Sequence, residues 1–518
     1  MLLLWLAACR TSTPIDFDSK ALFDEDTALA GYVDSGLESV DGESPFGCEP
    51  AANTVSVDEG QVAILQFACT GEATAESWEV ISAPGNASIN AQTGELTWQT
   101  DLASAGEWTI VVRAIGAGDE SGSGTVWVID AWDHPDNQPV NPLTYTEELG
   151  LPVLHIAVPA DINRTTKVPT TIVYRGESFD VEVEYRGAAS SYYPKLSYEL
   201  DFPPDHEFSD DAQAFDKSRS IAVITTFDDN AYFRQKMVYD LWNAMNPGRQ
   251  QLHAMFAVVY LDGVYEGVYT LVDRPDGEWW EDYGFREDGN LYKSVDHAAN
   301  FYAKYNGDKS SWHQGYEKKE GLPEDDFADL DALVQFVATS PDENFEAGIE
   351  QMMSLDDIYD WWALVIFVEG DDSGGKNAYL YNDPLDPKWH HAPWDFNHSL
   401  GQTWQTERES AYYDWDFTSA NGLFFRLLES PNYGEPMRAR FRTHRDTVLA
   451  PTMLESMIDG YIDLIDASAR RDWDKWQEEY RSYSGWSWRT DWTTYDEEVQ
   501  YVRTWLDQRW EFVEEWDP

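Results

Sequence analysis

The sequence has 518 residues, of which 42% are hydrophobic and 14% aromatic, so the composition excludes a generally disordered chain. The length predicts roughly three domains, or one large domain with an appendage. The formal net charge is -60, and such a field repels nucleic acids and anionic membrane surfaces. We therefore expect no nucleic-acid partner. Acids spread along the whole chain are typical of a solvated surface in salty or extracellular surroundings, although they also suit a cationic partner.

The chain begins with "MLLLWLAAC", an apolar run too short to span a bilayer as a helix. The small residues before Cys9 resemble a bacterial lipoprotein signal, and the alternative is an ordinary apolar N-terminus. The resemblance implies a signal over residues 1–9, a lipid on Cys9, and an extracytoplasmic protein anchored at the cell envelope or surface. If Cys9 is lipidated, two cysteines remain in an exported chain, and we expect a disulfide between Cys48 and Cys69.

The next three segments differ in composition. Residues 10–49 are polar and acidic with little periodicity, which predicts a tether. Residues 50–132 hold short alternating runs separated by turn residues, the pattern of a small all-β sandwich. The stretch "INAQTGELTWQT…AGEWTIVVRAI" resembles bacterial immunoglobulin-like or cadherin-like modules, which are usually spacers or adhesive elements. Residues 133–149 are rich in proline and predict a linker.

Residues 150–515 predict an α+β domain with its strands early and its helices late. Alternating runs continue to about residue 202, and a helix is expected over Tyr232–Met245. The segment "HAMFAVVYLDGVYEGVYTLVDRPD" predicts a β-hairpin that turns at Asp262-Gly263. Helical periodicity then dominates from Asp325 to about Phe367, and again from Leu423 to the end.

Two short stretches carry the strongest candidates for chemistry. In "DDSGGKN", Asp372 precedes Asn377 by the D-x-x-x-x-N spacing of a protein-kinase catalytic loop, where the aspartate handles the acceptor hydroxyl and the asparagine binds Mg²⁺. Asp395 follows in "PWDFN", after a predicted hairpin that returns the chain beside Asn377. A plain solvated turn explains the same local pattern. A calcium loop is disfavoured, because the alternating acids and terminal glutamate are missing.

A phosphate would also require cations, and "YRGAASSYYPK" offers them. Arg186 precedes a glycine and a small-residue stretch that includes Ser190 and Ser191, whose backbone N–H groups can approach phosphate oxygens. Lys195 follows on an alternating strand and could supply a point charge. The competing interpretation is a hairpin turn with a surface lysine.

Five blocks in order resemble the spore coat protein H (CotH) kinase family over roughly residues 150–515. The blocks are "YRGAASSYYPKLSYELDF", "FDDNAYFRQKMVYDLW", "VVYLDGVYEGVYTLVDRPD", "NLYK" and "DDSGGKNAYLY…KWHHAPWDFNHSLG". Members resemble protein kinases in a reduced, atypical fold, and some phosphorylate secreted or coat proteins on serine. The resemblance therefore implies a kinase-like fold, ATP and Mg as cofactors, and a protein substrate.

Carried over by position, the resemblance implies that Arg186 and Lys195 lie near phosphates, with Ser190 and Ser191 in the same segment. It implies Asp372 as the catalytic aspartate, and Asn377, Asp395 and Asn397 as Mg²⁺ ligands. This chain departs from the family at Asn397, where the P-W-D-x-D box has its second acid. No acid partner for Lys195 can be assigned from the sequence.

Three function classes follow from these patterns. The first is an exported, lipid-anchored kinase that transfers the ATP γ-phosphoryl group to a serine-type hydroxyl. The second is a non-catalytic surface adhesin or scaffold on a degenerate kinase-like fold. The third is a glycosidase with paired carboxylates. Two further candidates are weaker: adjacent His390 and His391 would point to opposite faces of a strand, and the tryptophans near the C-terminus more often pack helices than stack on sugars.

Overall fold

The computed structural model describes residues 48–515 except 49, 53, 59, 71–72, 85, 101–103, 105, 117–119, 130–139, 287, 371, 387 and 414–416. The expected signal, the lipidation site at Cys9 and nearly all of the acidic tether lie outside the described residues. Among the helices that are described, none combines the length and the apolarity needed to cross a membrane.

The first part of the described chain is built from strands. They are β1 (Pro50–Ala51), β2 (Val55–Asp58), β3 (Val62–Gln66), β4 (Ala68–Cys69), β5 (Ser77–Ser82), β6 (Ser88–Ile89), β7 (Glu95–Gln99), β8 (Gly106–Ile115) and β9 (Glu120–Ile129). They form the sheets β2-β9-β8-β5, β3-β7-β6 and β1-β4. Inward-facing residues such as Leu65, Trp98 and Ile110 share one apolar cluster. A disulfide joins Cys48 to Cys69, as the sequence predicted.

The next part of the chain forms a large sheet, and one helix lies between two of its strands in the sequence. The elements are β10 (Glu147–Glu148), β11 (Leu151–Ile156), β12 (Val168–Tyr174), β13 (Glu177–Arg186), β14 (Ser197–Asp201), β15 (Phe208–Asp210), β16 (Phe215–Ser218), β17 (Ser220–Thr225), α1 (Arg234–Met245), β18 (Ala254–Leu261) and β19 (Val264–Asp273). The strand order is β10-β11-β12-β13-β14-β17-β19-β18, and parallel pairing of β11 with β18 closes the sheet on itself. The last residues of the expected linker, 133–149, therefore include β10, the first strand of this sheet.

The predicted helix and hairpin are both confirmed. Helix α1 ends at Met245 as expected, and it begins at Arg234, two residues after the predicted start. Strands β18 and β19 pair from Leu261↔Val264 across the predicted turn. Asp262 and Gly263 both have positive φ, 52° and 82°, the conformation that a two-residue hairpin turn requires.

The remaining chain is mostly helical. It contains α2 (Gly277–Asp282), β20 (Asn290–Ser294), β21 (Tyr316–Glu320), α3 (Ala328–Thr339), α4 (Asp342–Met352), α5 (Leu355–Val368), β22 (Ala378–Asn382), β23 (Trp389–Pro393), α6 (Phe417–Ala420), α7 (Gly422–Glu429), α8 (Gly434–Asp446), α9 (Pro451–Ser482) and α10 (Tyr495–Glu515). The expectation of early strands and late helices is only partly right. A second sheet, β21-β20-β22-β23, lies among the helices, because the lone strand β20 pairs with β22 much later in the chain.

Two features hold the late helices against the sheets. Helix α5 is buried at every residue from Asp357 to Val368, as expected of a helix that is mostly apolar around its whole circumference. Fully buried Arg234, at the start of α1, pairs with Asp229 and with Glu498 of α10, both at 2.6 Å. Helix α10 is thus tied to the start of α1 and the loop after β17, and Asp228 of that loop lines the cavity described next.

Candidate active site

A cavity of about 1130 Å³ lies between the large sheet and the second sheet. Its walls come from the end of β13 and the turn after it, the ends of β14 and β17, strand β20, the loop before β22 and the segment after β23. Strand ends and loops are where backbone geometry is free to aim side chains into a common space. All the sequence-predicted site residues except Ser191 and Lys195 line this cavity.

The loop before β22 presents Asp372 with both carboxylate oxygens engaged. His297 Nε2 lies 3.0 Å from Oδ1, and Lys376 Nζ lies 2.5 Å from Oδ2. Burial alone would raise the pKa of Asp372, but the hydrogen bond from His297 and the charge of Lys376 hold that pKa well below its usual value. Asp372 is therefore an ionised carboxylate at neutral pH.

The predicted hairpin β22–β23 brings Asn377 and Asp395 together. The amide Nδ2 of Asn377 donates to Asp372 Oδ2 and to the backbone carbonyl of Asp395, both at 3.3 Å. The two residues have left-handed φ angles of 57° and 60°. Such backbone conformations are uncommon outside glycine and cluster at functional sites. The local D-x-x-x-x-N pattern and the later aspartate thus form one constellation.

Packing fixes the orientation of Asp395. Trp394 and Phe396 on either side are buried, as expected from the sequence. The backbone N–H of Asp395 donates to the hydroxyl of Tyr239, on α1, at 3.1 Å. With both neighbours locked in the core, the Asp395 carboxylate is held on the cavity wall.

Asn397 reaches a carboxylate that the sequence did not single out. Its Nδ2 donates to Asp228 Oδ2 at 2.7 Å, and His398 Nε2 lies 3.0 Å from the same oxygen. Burial would lower the pKa of His398, but the hydrogen bond and charge of Asp228 raise it above its usual value. Asp228 lies three residues after the end of β17 and also lines the cavity.

Two cations line the same cavity beside Trp394, the neighbour of Asp395. The Arg186 guanidinium lies 5.6 Å and the Lys293 ammonium 5.7 Å from the ring of Trp394. Burial, and then the charge of Arg186, lower the pKa of Lys293 to about 8. In a chain of net charge -60, these two cations give this part of the cavity a local positive charge close to the acids.

The turn after β13 is shaped by Gly187, whose φ is 99° and whose added Cβ would lie 2.0 Å from Ser190 Oγ. Ser190 lines the cavity, whereas Ser191 is buried and donates to the carbonyl of Ala188. Lys195 is fully buried and pairs with Asp472 of α9 at 2.5 Å. The alternative interpretation of Lys195 as a surface lysine is therefore wrong, and Asp472 is the acid partner that the sequence could not assign.

The donor set available to a metal is mixed. Among the described residues, no cluster of three or more His, Cys, Asp or Glu side chains is arranged to hold a metal ion. The predicted ligands Asn377, Asp395 and Asn397 combine one carboxylate with two amides. Oxygen donors of this kind suit Mg²⁺, which takes few protein ligands. The side-chain oxygen Oδ1 of Asn397 is buried without a hydrogen-bond partner, so the residues present fit an oxygen-seeking cation.

Three cavity residues escaped the sequence reasoning: Asp228, Lys293 and His297. The available signals were weak. Lys293 ends the family-like block "NLYK", and Asp228 lies inside the block "FDDNAYFRQKMVYDLW", directly before the Asp229 that carries its pattern. His297 has no pattern of its own. The side candidates His390 and His391 point apart, as expected: His390 contacts Asp357 and Asp386, while His391 stacks on Trp361 with ring centroids 4.1 Å apart.

The fold and the cavity define an α+β protein in which Asp372, Asn377 and Asp395 meet at one cavity. The chain belongs to the CotH kinase protein family, whose model matches residues 183–513. It is 27% identical over 276 residues to the inner spore coat protein H of Bacillus subtilis (strain 168), covering 53% of this chain and 73% of that protein.

Two solved structures are similar to parts of the chain. A putative alpha-galactosidase from Bacteroides fragilis is 17% identical with a TM-score of 0.14, covering 16% of this chain and 18% of that one. The titin M10–obscurin-like 1 Ig complex is 26% identical with a TM-score of 0.13, covering 16% of this chain and 96% of that one.

Proposed function

We propose that this protein is an exported kinase that binds ATP with Mg²⁺ in the cavity and transfers the γ-phosphoryl group to a serine-type hydroxyl of a protein substrate. The observation that carries the proposal is the meeting of Asp372, Asn377 and Asp395 with Arg186 and Lys293 around one cavity. Membership of the CotH kinase family supports it, and so does the orphaned oxygen of Asn397.

Each side chain has a role that its position supports. Asp372 orients the acceptor hydroxyl and accepts its proton, once the hydroxyl takes a place beside the carboxylate that His297 and Lys376 now contact. Arg186 and Lys293 bind phosphate oxygens from the wall beside Trp394. Asn377, Asp395 and Asn397 would hold the metal, which would neutralise phosphate charge when bound. The turn that contains Ser190 contacts the phosphates.

The role that we propose for Lys195 is structural and differs from phosphate binding. Its ammonium is fully buried and hydrogen-bonded to Asp472, Thr226 and Val268, so it stabilises the strands behind the cavity. Direct contact of Lys195 with a phosphate, which the family resemblance implies, requires that Asp472 give up its ion pair. Ser191 is likewise held within its own turn.

The test is transfer of labelled γ-phosphate from ATP to a protein acceptor, with a set of variants. Asp372→Ala and Asp395→Ala should each abolish metal-dependent labelling and keep the wild-type circular dichroism spectrum. Asp216→Asn, an exposed aspartate outside the cavity, serves as the matched control and should label normally. Wild-type labelling by either alanine variant contradicts the proposal.

Export and anchoring form a separate part of the proposal. The cell-envelope location, the lipid on Cys9, the tether over 10–49, the immunoglobulin-like module over 50–132 and the linker over 133–149 all follow from the sequence. The Cys48–Cys69 disulfide supports an oxidising, extracytoplasmic compartment. Metabolic labelling with a fatty acid should mark the wild-type protein and leave Cys9→Ala unlabelled; equal labelling of both refutes the anchor.

Two observations favour the second candidate, a non-catalytic surface adhesin or scaffold. Position 397 holds an amide where the family's pattern has an acid, and both oxygens of Asp372 are already engaged. A scaffold would show no response to Mg²⁺ and ATP, whereas a kinase gains stability from them.

A further inference from the structure

Asp228 is the most deeply buried carboxylate on the cavity wall, with only 1% of its surface exposed. Three donors surround its oxygen Oδ2: Asn397 Nδ2 at 2.7 Å, His398 Nε2 at 3.0 Å and the Tyr193 hydroxyl at 3.2 Å. Its other oxygen, Oδ1, is buried and has no hydrogen-bond partner among the described residues. Oδ2 of Asp228 is thus held by hydrogen bonds, whereas Oδ1 has no hydrogen-bond partner among the described residues.

A second orphaned acceptor lies beside it. Because Asn397 uses its amide nitrogen on Asp228, its own oxygen Oδ1 is left over, and that oxygen is also buried without a partner. A buried acceptor without a donor or cation keeps its desolvation penalty and so destabilises the fold. A structural role for Asp228 accounts for Oδ2 and its three donors, but it leaves both orphaned oxygens unexplained.

Asn397 lies on the segment that carries Asp395, and Asp228 reaches that segment from the loop after β17. Asp395 is two residues before Asn397, and Asp228, Asp395 and Asp372 all interact electrostatically with His398. The family's pattern has an acid at position 397, where this chain has an amide. In the folded chain a carboxylate from 169 positions away contacts that amide.

We propose that Asp228 supplies the second carboxylate of the divalent-cation site, in place of the acid that is missing at position 397. The ligands are then Asn377, Asp395, Asp228 Oδ1 and Asn397 Oδ1, two carboxylates and two amides. This inference rests on the proposed function, because it concerns the metal that accompanies the nucleotide. It removes the main objection to activity, the lost charge at Asn397.

The test measures metal binding rather than catalysis. Binding of Mn²⁺ to the full chain is followed by electron paramagnetic resonance, with a non-hydrolysable ATP analogue present. Asp228→Asn should bind Mn²⁺ at least about tenfold more weakly than wild type, since even the indirect supports of a metal site are worth that much. The control Asp216→Asn should bind as wild type does.

A swapped variant separates a ligand from a structural anchor. Asp228→Asn with Asn397→Asp exchanges carboxylate and amide, so the charge and one hydrogen bond between the two positions are kept. We expect it to recover most of the wild-type Mn²⁺ affinity. Unchanged affinity in Asp228→Asn overturns the inference, and so does a swapped variant that keeps its near-ultraviolet circular dichroism but does not recover.

The outcomes also distinguish the two proposals. Loss of Mn²⁺ binding in Asp395→Asn with full binding in Asp228→Asn overturns only the role of Asp228. Absence of Mn²⁺ binding in the wild type, with and without the nucleotide analogue, overturns this inference together with the proposed function.

Discussion

Removing Asp472 should lower the free energy of unfolding more than almost any other single substitution. The buried ammonium of Lys195 would then lose its counter-charge. Lys195 and Asp472 are 0% and 2% exposed, and their charged atoms lie 2.5 Å apart. Lys195 also donates to Thr226 Oγ1 at 2.9 Å and to the carbonyl of Val268 at 2.7 Å, which uses all three of its N–H groups. Asp472 in turn accepts from the Val268 N–H and the Tyr232 hydroxyl.

The expected cost of Asp472→Ala follows from this geometry. Breaking a buried ion pair by removing one partner costs about 3–5 kcal/mol, since the remaining charge keeps its desolvation penalty. The backbone of Gly267 packs closely against the pair, because a Cβ there would lie 2.0 Å from Asp472 Oδ2. Replacing both charges, in Lys195→Met with Asp472→Leu, should cost clearly less than Asp472→Ala alone.

The assay is urea unfolding followed by tryptophan fluorescence. With an m-value of about 3 kcal/mol per molar, Asp472→Ala should lower the midpoint by about 1 M or more. Asp474→Ala, a change at an acid two residues along the same helix, is the matched control and should shift the midpoint little. A loss below about 1 kcal/mol in Asp472→Ala, the value typical of an exposed pair, would refute the buried-pair reasoning.

Three further outcomes are expected. Burial would raise the pKa of Glu199, but Arg274 and Lys167 lower it from 4.5 to about 2, so its stabilisation of the fold is complete above pH 4.5 and is lost as the pH falls to about 2. The stability difference between wild type and Glu199→Gln, measured by urea unfolding, should therefore be about 3 kcal/mol at neutral pH and shrink over that window; a difference independent of pH would contradict this. ATP affinity measured by calorimetry should fall as the pH rises through about 8, where Lys293 loses its proton, and Lys293→Arg should flatten that dependence; the same slope in both proteins would exclude Lys293 from the site. Cys48→Ala with Cys69→Ala should destabilise the region of β1–β9 by about 3 kcal/mol, from the 21-residue separation, and pulse proteolysis should show faster cleavage there with the family-matched region still protected; equal cleavage rates would refute the estimate.

Local patterns carried the prediction of local structure. Helix α1 and the β18–β19 hairpin follow from periodicity and from Asp262-Gly263, whose turn conformation needs no tertiary contact. The β22–β23 hairpin was predicted in the same way, and it places Asn377 beside Asp395.

Non-local pairing set the limit of what the sequence could predict. Strand β20 finds its partner β22 only after three helices, so neither the second sheet nor the position of Lys293 on the cavity wall could be read from periodicity. Asp228 contacts Asn397 across 169 positions for the same reason. The orientation of the Lys195 side chain depends on the packing of α9 over the sheet, because Asp472 of that helix binds its ammonium.

The central claim is that the cavity is a site for ATP with Mg²⁺. Its most direct test is the unfolding free energy of the full chain with ATP and Mg²⁺, compared with ATP and a chelator. At a ligand concentration of about 100 Kd the wild type should gain about 2.7 kcal/mol, with no gain in Asp395→Ala or with the chelator. An equal unfolding free energy in wild type with and without Mg²⁺ and ATP would contradict the claim.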